Sequence, residues 1–244
     1  LTGHFPFISA INDPRTVIGP LARHVADLAL ALPLISGADW RDASAVPMPL
    51  GDWRAVALRG LRVACYTRHE FANPSPETAA TCRRAAAALA DRGAVVSEAL
   101  PPRVEEAYAI TRRYWQRPES ESPDEWVPDG PASLGSEEVE RHLFEWNRFR
   151  QALIGFMAGY DAILTPVAEQ PAAPFGSDEG GIPYTLPYSL AGYPCAVVRA
   201  GTSPDGMPIG VQVVARPWRE DVALALAEQI EQACGGWQAP ALAG

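Results

Sequence analysis

Between Leu61 and Leu100 the chain reads as a strand, a strongly marked helix and a second strand, and this unit restricts it to folds with a helix-covered parallel sheet. Leu61–Tyr66 is a short apolar run. Asn73-Pro74-Ser75-Pro76-Glu77 then marks a helix start. Ser75 can accept from a first-turn amide, Pro76 occupies a position that needs no donor, and Glu77 sits at the positive end of the dipole. Ala79, Cys82, Ala86 and Leu89 form an apolar stripe, Gly93 closes the helix, and Ala94–Leu100 reads as the second strand. Such a unit crosses over right-handed and leaves its two strands parallel.

The remaining segments predict the same class. Leu1–Ala22, with three glycine or proline positions at Gly3, Pro6 and Pro14 and two more at Gly19 and Pro20, reads as an irregular lead-in. Val25, Leu28, Ala29, Leu32 and Ile35 recur at helical spacing, and Gly37 ends that helix. A further helix covers Val104–Gln116, and Pro118–Gly135 is a surface loop. A long helix starts at Ser136 as its cap, with a stripe of Val139, Leu143, Trp146, Phe149, Leu153 and Phe156. Ala162–Val167 is a short buried strand. Glu169–Pro187, with Gly180-Gly181 and four prolines, is a long loop of the kind that carries function. Cys195–Ala200 and Ile209–Val214 are strands joined across Ser203-Pro204-Asp205-Gly206. Ile209, Val211 and Val213 share one face, and Gln212 points the other way. A last helix, Arg219–Cys234, packs through Val222, Leu226, Ile230 and Ala233. The sum is an α/β fold of about five strands and five helices, read as a single domain over 1–244.

Composition removes several functions. All 20 basic residues are arginine, so no complete P-loop, Schiff-base enzyme or Ser-Lys hydrolase can be assembled within this chain. A net charge of -9 argues against a nucleic-acid partner. No apolar run approaches the roughly 18–20 residues of a membrane span; the most apolar stretch, Val25–Ile35, is broken by Asp27 and Pro33. No signal peptide is visible at the start. The four cysteines, Cys65, Cys82, Cys195 and Cys234, lack metal spacing and read as reduced thiols of a cytoplasmic protein.

Few residues stand out for chemistry. The G-x-S-x-G, H-E-x-x-H and G-x-G-x-x-G patterns are absent. His24 and His142 fall in predicted helices beside arginines, where solvation or helix packing explains them. Cys195, without a nearby histidine, reads as a small core residue rather than a nucleophile. Arg112, Arg113 and Arg117 interleave with Tyr114 and Trp115; the segment either grips an anion or is a solvated helix face with an aromatic anchor.

Three blocks in order resemble the amidase signature family. They are Gly19-Pro20-Leu21-Ala22-Arg23 with Asp27-Leu28-Ala29 and Ser36-Gly37-Ala38-Asp39; then Tyr160-Asp161-Ala162-Ile163-Leu164-Thr165-Pro166; then Tyr184-Thr185, Leu190-Ala191-Gly192-Tyr193-Pro194, Gly206-Met207-Pro208-Ile209-Gly210-Val211-Gln212 and Arg216-Pro217-Trp218. The resemblance implies hydrolysis of carboxylic amides by a serine nucleophile, a second serine preceded by a cis peptide bond, and a lysine general base. It implies a mixed sheet with helices on both faces, incomplete at its N-terminal side, because the family's Gly/Ser-rich signature lies upstream of what Leu1-Thr2-Gly3-His4-Phe5-Pro6 matches. No catalytic residue is therefore assigned in this chain. Thr165, Tyr184, Tyr188, Ser189 and Trp115 are assigned to the substrate pocket. No cofactor or metal is implied, the partner is a small-molecule amide, and a homodimer is left open.

Three readings follow: the C-terminal half of an amidase, inactive alone; the same half working with a second chain; or a binding module without chemistry. A sheet lacking part of its strands should leave one side open and lined with Val, Ile and Leu.

Overall fold

The computed structural model describes residues 7–8, 11–12, 17–38, 40, 45–115, 135–174, 176 and 182–239. The loop expected over Pro118–Gly135 and the Gly180-Gly181 pair fall almost wholly outside the described residues. The lead-in read as irregular contains a small antiparallel ladder, β1 (Phe7–Ile8) against β2 (Ile11–Asn12). Strands this short leave no alternation to read. Helix α1 follows at Val25–Ile35.

The strand–helix–strand unit is present as β3 (Arg62–Cys65), α2 (Pro76–Asp91) and β4 (Val95–Glu98), with β3 and β4 parallel. Ser75 caps α2: its side chain accepts from the Thr78 amide at 3.2 Å. Replacing Ser75 by Ala is expected to cost about 1 kcal/mol, read as a lowered urea midpoint with an unchanged slope; a midpoint equal to wild type would show that the cap contributes nothing. Helix α3 spans Ala107–Trp115, after a short 3-10 turn at Val104–Glu106.

Helix α4 runs Ser136–Met157, but its cap is Gly135, one residue before the expected Ser136. The Glu138 carboxylate accepts from the Gly135 amide at 3.1 Å and holds that end. Its buried stripe is His142, Trp146, Phe149, Leu153 and Met157. Leu143, expected on that stripe, is exposed; the helix is rotated so that His142 takes its place. Strand β5 (Ala162–Pro166) is buried at every position. The loop expected to continue to Pro187 instead gives way to a short helix, α5 (Leu186–Ala191), whose Pro187 sits in the first turn where no amide donor is needed. Strands β6 (Cys195–Thr202) and β7 (Pro208–Ala215) form the final hairpin, and α6 (Glu220–Cys234) is the last helix among the described residues. In the hairpin turn Gly206 has φ of +84°, a conformation that suits glycine.

The main sheet is mixed, in the order β4-β3-β5-β7-β6. β3 is parallel to β4 and β5, whereas β7 is antiparallel to both β5 and β6. Side chains alternate between two apolar layers. Val63, Cys65, Leu164, Val211 and Val213 face α2 and α6, packing on Cys82, Leu89, Leu226 and Ile230. Ala64, Tyr66, Ile163 and Val214 face the other layer, with Trp146, Phe149 and Leu153 of α4 and Tyr188 and Leu190 of α5. This is the expected α/β architecture, a mixed sheet between two helical layers. Among the described residues no helix is long and apolar enough to cross a membrane.

Candidate functional site

Parallel strands in an open α/β sheet leave a crevice at their carboxyl ends, and that is where chemistry gathers. Here β3 ends at Cys65 and β5 at Pro166. Tyr66, Thr67 and His69 continue from the first, Thr165 is the penultimate residue of the second, and Tyr188 of α5 packs with Tyr66.

A hydrogen-bonded tyrosine cluster occupies this end. The hydroxyls of Tyr66 and Tyr188 are 2.9 Å apart. The Tyr184 hydroxyl donates to the Thr67 carbonyl at 2.6 Å, and the Gln212 amide donates to the Tyr184 carbonyl at 3.1 Å. Gln212 thus uses the face of β7 opposite to Val211 and Val213, as its position in the alternation requires. The His69 ring meets Tyr184 edge-on at 5.8 Å and Tyr66 at 6.2 Å. Trp146 donates its indole N–H to the Leu190 carbonyl at 2.8 Å, fixing α5 to α4.

Burial favours the neutral form of each phenol in the cluster. Burial pushes the Tyr66 phenol up to about 12, opposed by the hydrogen bond with Tyr188. Burial raises Tyr188 well above its ordinary value, and Tyr184 also rises, mainly through burial. Tyr193 is raised to about 12 by burial. Burial lowers His69, and its Nδ1 accepts from the Phe71 amide at 3.3 Å. Cys195 opens β6 at an exposed position, yet the packing around its sulfur raises the thiol to about 12, and Sγ donates to the Tyr193 carbonyl at 3.4 Å. A thiol that keeps its proton is a poor nucleophile. Among the described residues no group of three His, Cys, Asp or Glu side chains is placed to hold a metal.

Of the five pocket residues expected from sequence, Thr165, Tyr184 and Tyr188 meet at this strand end, and their side chains are buried. Ser189 follows Tyr188 on α5 and is half-buried. Trp115 is the last residue of α3; its side chain lies outside the described residues. Tyr66 and His69 were missed. The signal was their position at and just past the carboxyl end of a strand recognised as parallel.

A family model described as Amidase matches residues 5–121 and 120–224. A glutamyl-tRNA(Gln) amidotransferase chain of Xanthobacter autotrophicus is 27% identical over 270 residues, which take in 89% of this chain and 54% of that protein. The solved structure of the corresponding glutamyl-tRNA(Gln) amidotransferase chain from Thermotoga maritima superposes with a TM-score of 0.70 at 23% identity, over 93% of this chain and 54% of that one. The structure of 6-aminohexanoate cyclic dimer hydrolase complexed with substrate gives a TM-score of 0.65 at 26% identity, over 87% of this chain and 54% of that one. The chain spans about half the length of each of these proteins.

Proposed function

This chain belongs to the amidase family, and from that premise we propose that it forms the scaffold and substrate-side wall of an enzyme hydrolysing carboxylic amides. The observation that carries the reading is the neutral tyrosine cluster at the carboxyl ends of β3 and β5, inside a segment matched to the family along most of its length. Thr165, Tyr184 and Tyr188 make the buried backing of the pocket, and Ser189 and Trp115 are assigned to the same wall. The wall is polar, with phenols that keep their protons and a threonine hydroxyl, a lining that suits an amide, whose carbonyl and N–H need donors and acceptors.

Hydrolysis itself needs an activated nucleophile and a base. The family's relay ends in a lysine, and this chain has none. The serines and the lysine are therefore supplied by polypeptide outside these residues, and the tetrahedral oxyanion is stabilised by backbone amides beside that nucleophile. The contribution of this half is to seat and orient the amide. No metal or cofactor takes part, and the working enzyme is cytoplasmic.

The test is ammonia release from a panel of aliphatic and aromatic amides by the purified 244-residue chain. No turnover above the uncatalysed rate is expected. Turnover that persists through re-purification and is lost in Cys195→Ser or Ser189→Ala would overturn the assignment of catalysis to other residues.

A further inference from the structure

We propose that Cys65 and Cys82 form a reversible thiol–disulfide pair, oxidised by hydroperoxides, that ties α2 to the end of β3 beside the candidate site. The pair stands independently of the amide-hydrolase reading.

The fold brings the two residues together from opposite sides of one layer. Cys65 is the last residue of β3, and its place in the alternation, two after Val63, turns its side chain toward α2. The chain then crosses over and enters α2 at Pro76. A crossover helix starts near the carboxyl end of the preceding strand and runs back over the sheet, so its first turns lie above that strand's last residues. Cys82 stands on the buried side of those turns, with Ala79 and Ala85. Both thiols are free, and both residues belong to the same buried cluster. Cys82 also acts electrostatically on Tyr66 and Tyr184, which places its sulfur at the strand end where Cys65 sits. A side-chain hydrogen bond joins the two sulfurs.

The pair is asymmetric. Cys82 is fully buried and donates its S–H to the Cys65 sulfur. That bond is the largest influence on both groups. It holds the Cys65 thiol below its ordinary range, against burial and the Glu98 carboxylate, and it raises Cys82 together with burial. The Arg83 guanidinium favours the thiolate at both positions. The other two cysteines, Cys195 and Cys234, are both raised by burial. Cys65 is therefore the one cysteine shifted toward the thiolate, which is the reactive form. It keeps 8% of its surface open, whereas Cys82 keeps none. An activated thiol with a second thiol bonded to it is the arrangement of an attacking and a resolving cysteine.

The chemistry balances with a hydroperoxide as oxidant. The Cys65 thiolate attacks one peroxide oxygen and the O–O bond breaks. The leaving oxygen takes up the proton that Cys65 gave and departs as water, and Cys65 becomes a sulfenic acid. The Cys82 sulfur then attacks the Cys65 sulfur. The S–S bond forms, the S–O bond breaks, and the hydroxide leaves with the Cys82 proton as a second water. Two electrons have passed from the thiols to the peroxide, and a dithiol returns them by exchange. Disulfides in reducing compartments are mostly transient bonds of this kind. The link closes a loop that contains Tyr66, Thr67 and His69. The oxidation state of the pair thus sets how firmly the segment entering the tyrosine cluster is held.

The experiment treats the folded 244-residue chain with hydrogen peroxide, blocks the remaining thiols, digests with trypsin without reductant and weighs the peptides. Cleavage after arginine separates Cys65, on residues 63–68, from Cys82, on residues 69–83. These two peptides are expected as one linked species, lighter than their sum by two hydrogens and separated again by dithiothreitol. In urea the same treatment should spread Cys65 among Cys82, Cys195 and Cys234, cutting the Cys65–Cys82 share about twofold or more. In the oxidised folded chain, amide exchange over residues 66–75 should slow about tenfold. Cys82→Ala should leave Cys65 as a sulfenic acid that dimedone traps; the wild-type digest decides the matter even where that variant fails to fold. The proposal is overturned if Cys65 and Cys82 stay as thiols under peroxide, or if Cys65 links to Cys195 or Cys234 in the folded chain. Equal Cys65–Cys82 shares in folded and urea-treated protein, or a link that leaves exchange over 66–75 unchanged, overturn it as well.

Discussion

Above pH 10 the protein is expected to lose stability steeply, by about 2–3 kcal/mol per pH unit from Tyr66 and Tyr188 alone. The two phenols are buried, and each is raised above its ordinary value, Tyr66 to about 12. In the unfolded chain both ionise from about pH 10. Between that pH and the folded values the unfolded state binds fewer protons than the native state. Raised folded values therefore contribute stability that is complete below pH 10 and disappears as pH climbs through the folded range. Tyr184 and Tyr193 act in the same direction. Urea midpoints measured from about pH 8 to 11.5, alongside tyrosinate absorbance, check this. The double variant Tyr66→Phe with Tyr188→Phe removes both hydroxyls together and leaves neither unpaired, so its midpoint should depend visibly less on pH. Equal slopes for wild type and double variant would show that these phenols do not control alkaline unfolding.

Trp146→Ala is expected to cost about 3–5 kcal/mol. Trp146 is buried among Phe149, Leu153 and Leu190, and its N–H reaches the Leu190 carbonyl near the end of α5. Removing the ring leaves a cavity between α4 and α5 and frees the short helix that carries Tyr188. A helix of six residues has little stability of its own and depends on such packing. Trp146→Phe keeps most of the volume and loses the hydrogen bond, for about 1 kcal/mol. Equilibrium unfolding gives both numbers. A second signature separates loosening of the site from loss of core: with α5 freed, the Tyr66–Tyr188 hydroxyl contact opens and the tyrosines titrate at lower pH. Unchanged titration in Trp146→Ala would show that α5 is held by other contacts.

The elements legible in the sequence were those whose signals are local. Ser75, Pro76 and Glu77 mark the start of α2 through groups within one helical turn, and the structure places the cap at Ser75. Alternation along β7 put Val211 and Val213 on one face and Gln212 on the other, and both faces turned out to be covered. Helix α5 left no such signal, because six residues between a proline-rich loop and Gly192-Tyr193-Pro194 complete fewer than two turns. The rotation of α4 that buries His142 and exposes Leu143 was equally hidden: the two positions are adjacent, and the packing partners that choose between them lie on other elements.

The candidate site was partly legible for the same reason. Thr165 and Tyr184 could be named because they lie in recognisable blocks, and Tyr188 and Ser189 because they directly precede the block Leu190-Ala191-Gly192-Tyr193-Pro194. Tyr66 could not, since what gives it a role is a hydroxyl 122 positions further along the chain. By itself the sequence determined the parallel strand–helix–strand unit, the family and the absence of a lysine base, because each is carried by neighbouring residues or by composition. Tertiary structure alone decided which phenols meet and that they are neutral, since burial is a property of the assembled layers. It also decided that α1 is covered on one side only: the stripe on its inner face is written in the sequence, but whether a second layer lies over Leu30 and Leu34 depends on what the rest of the fold brings against them.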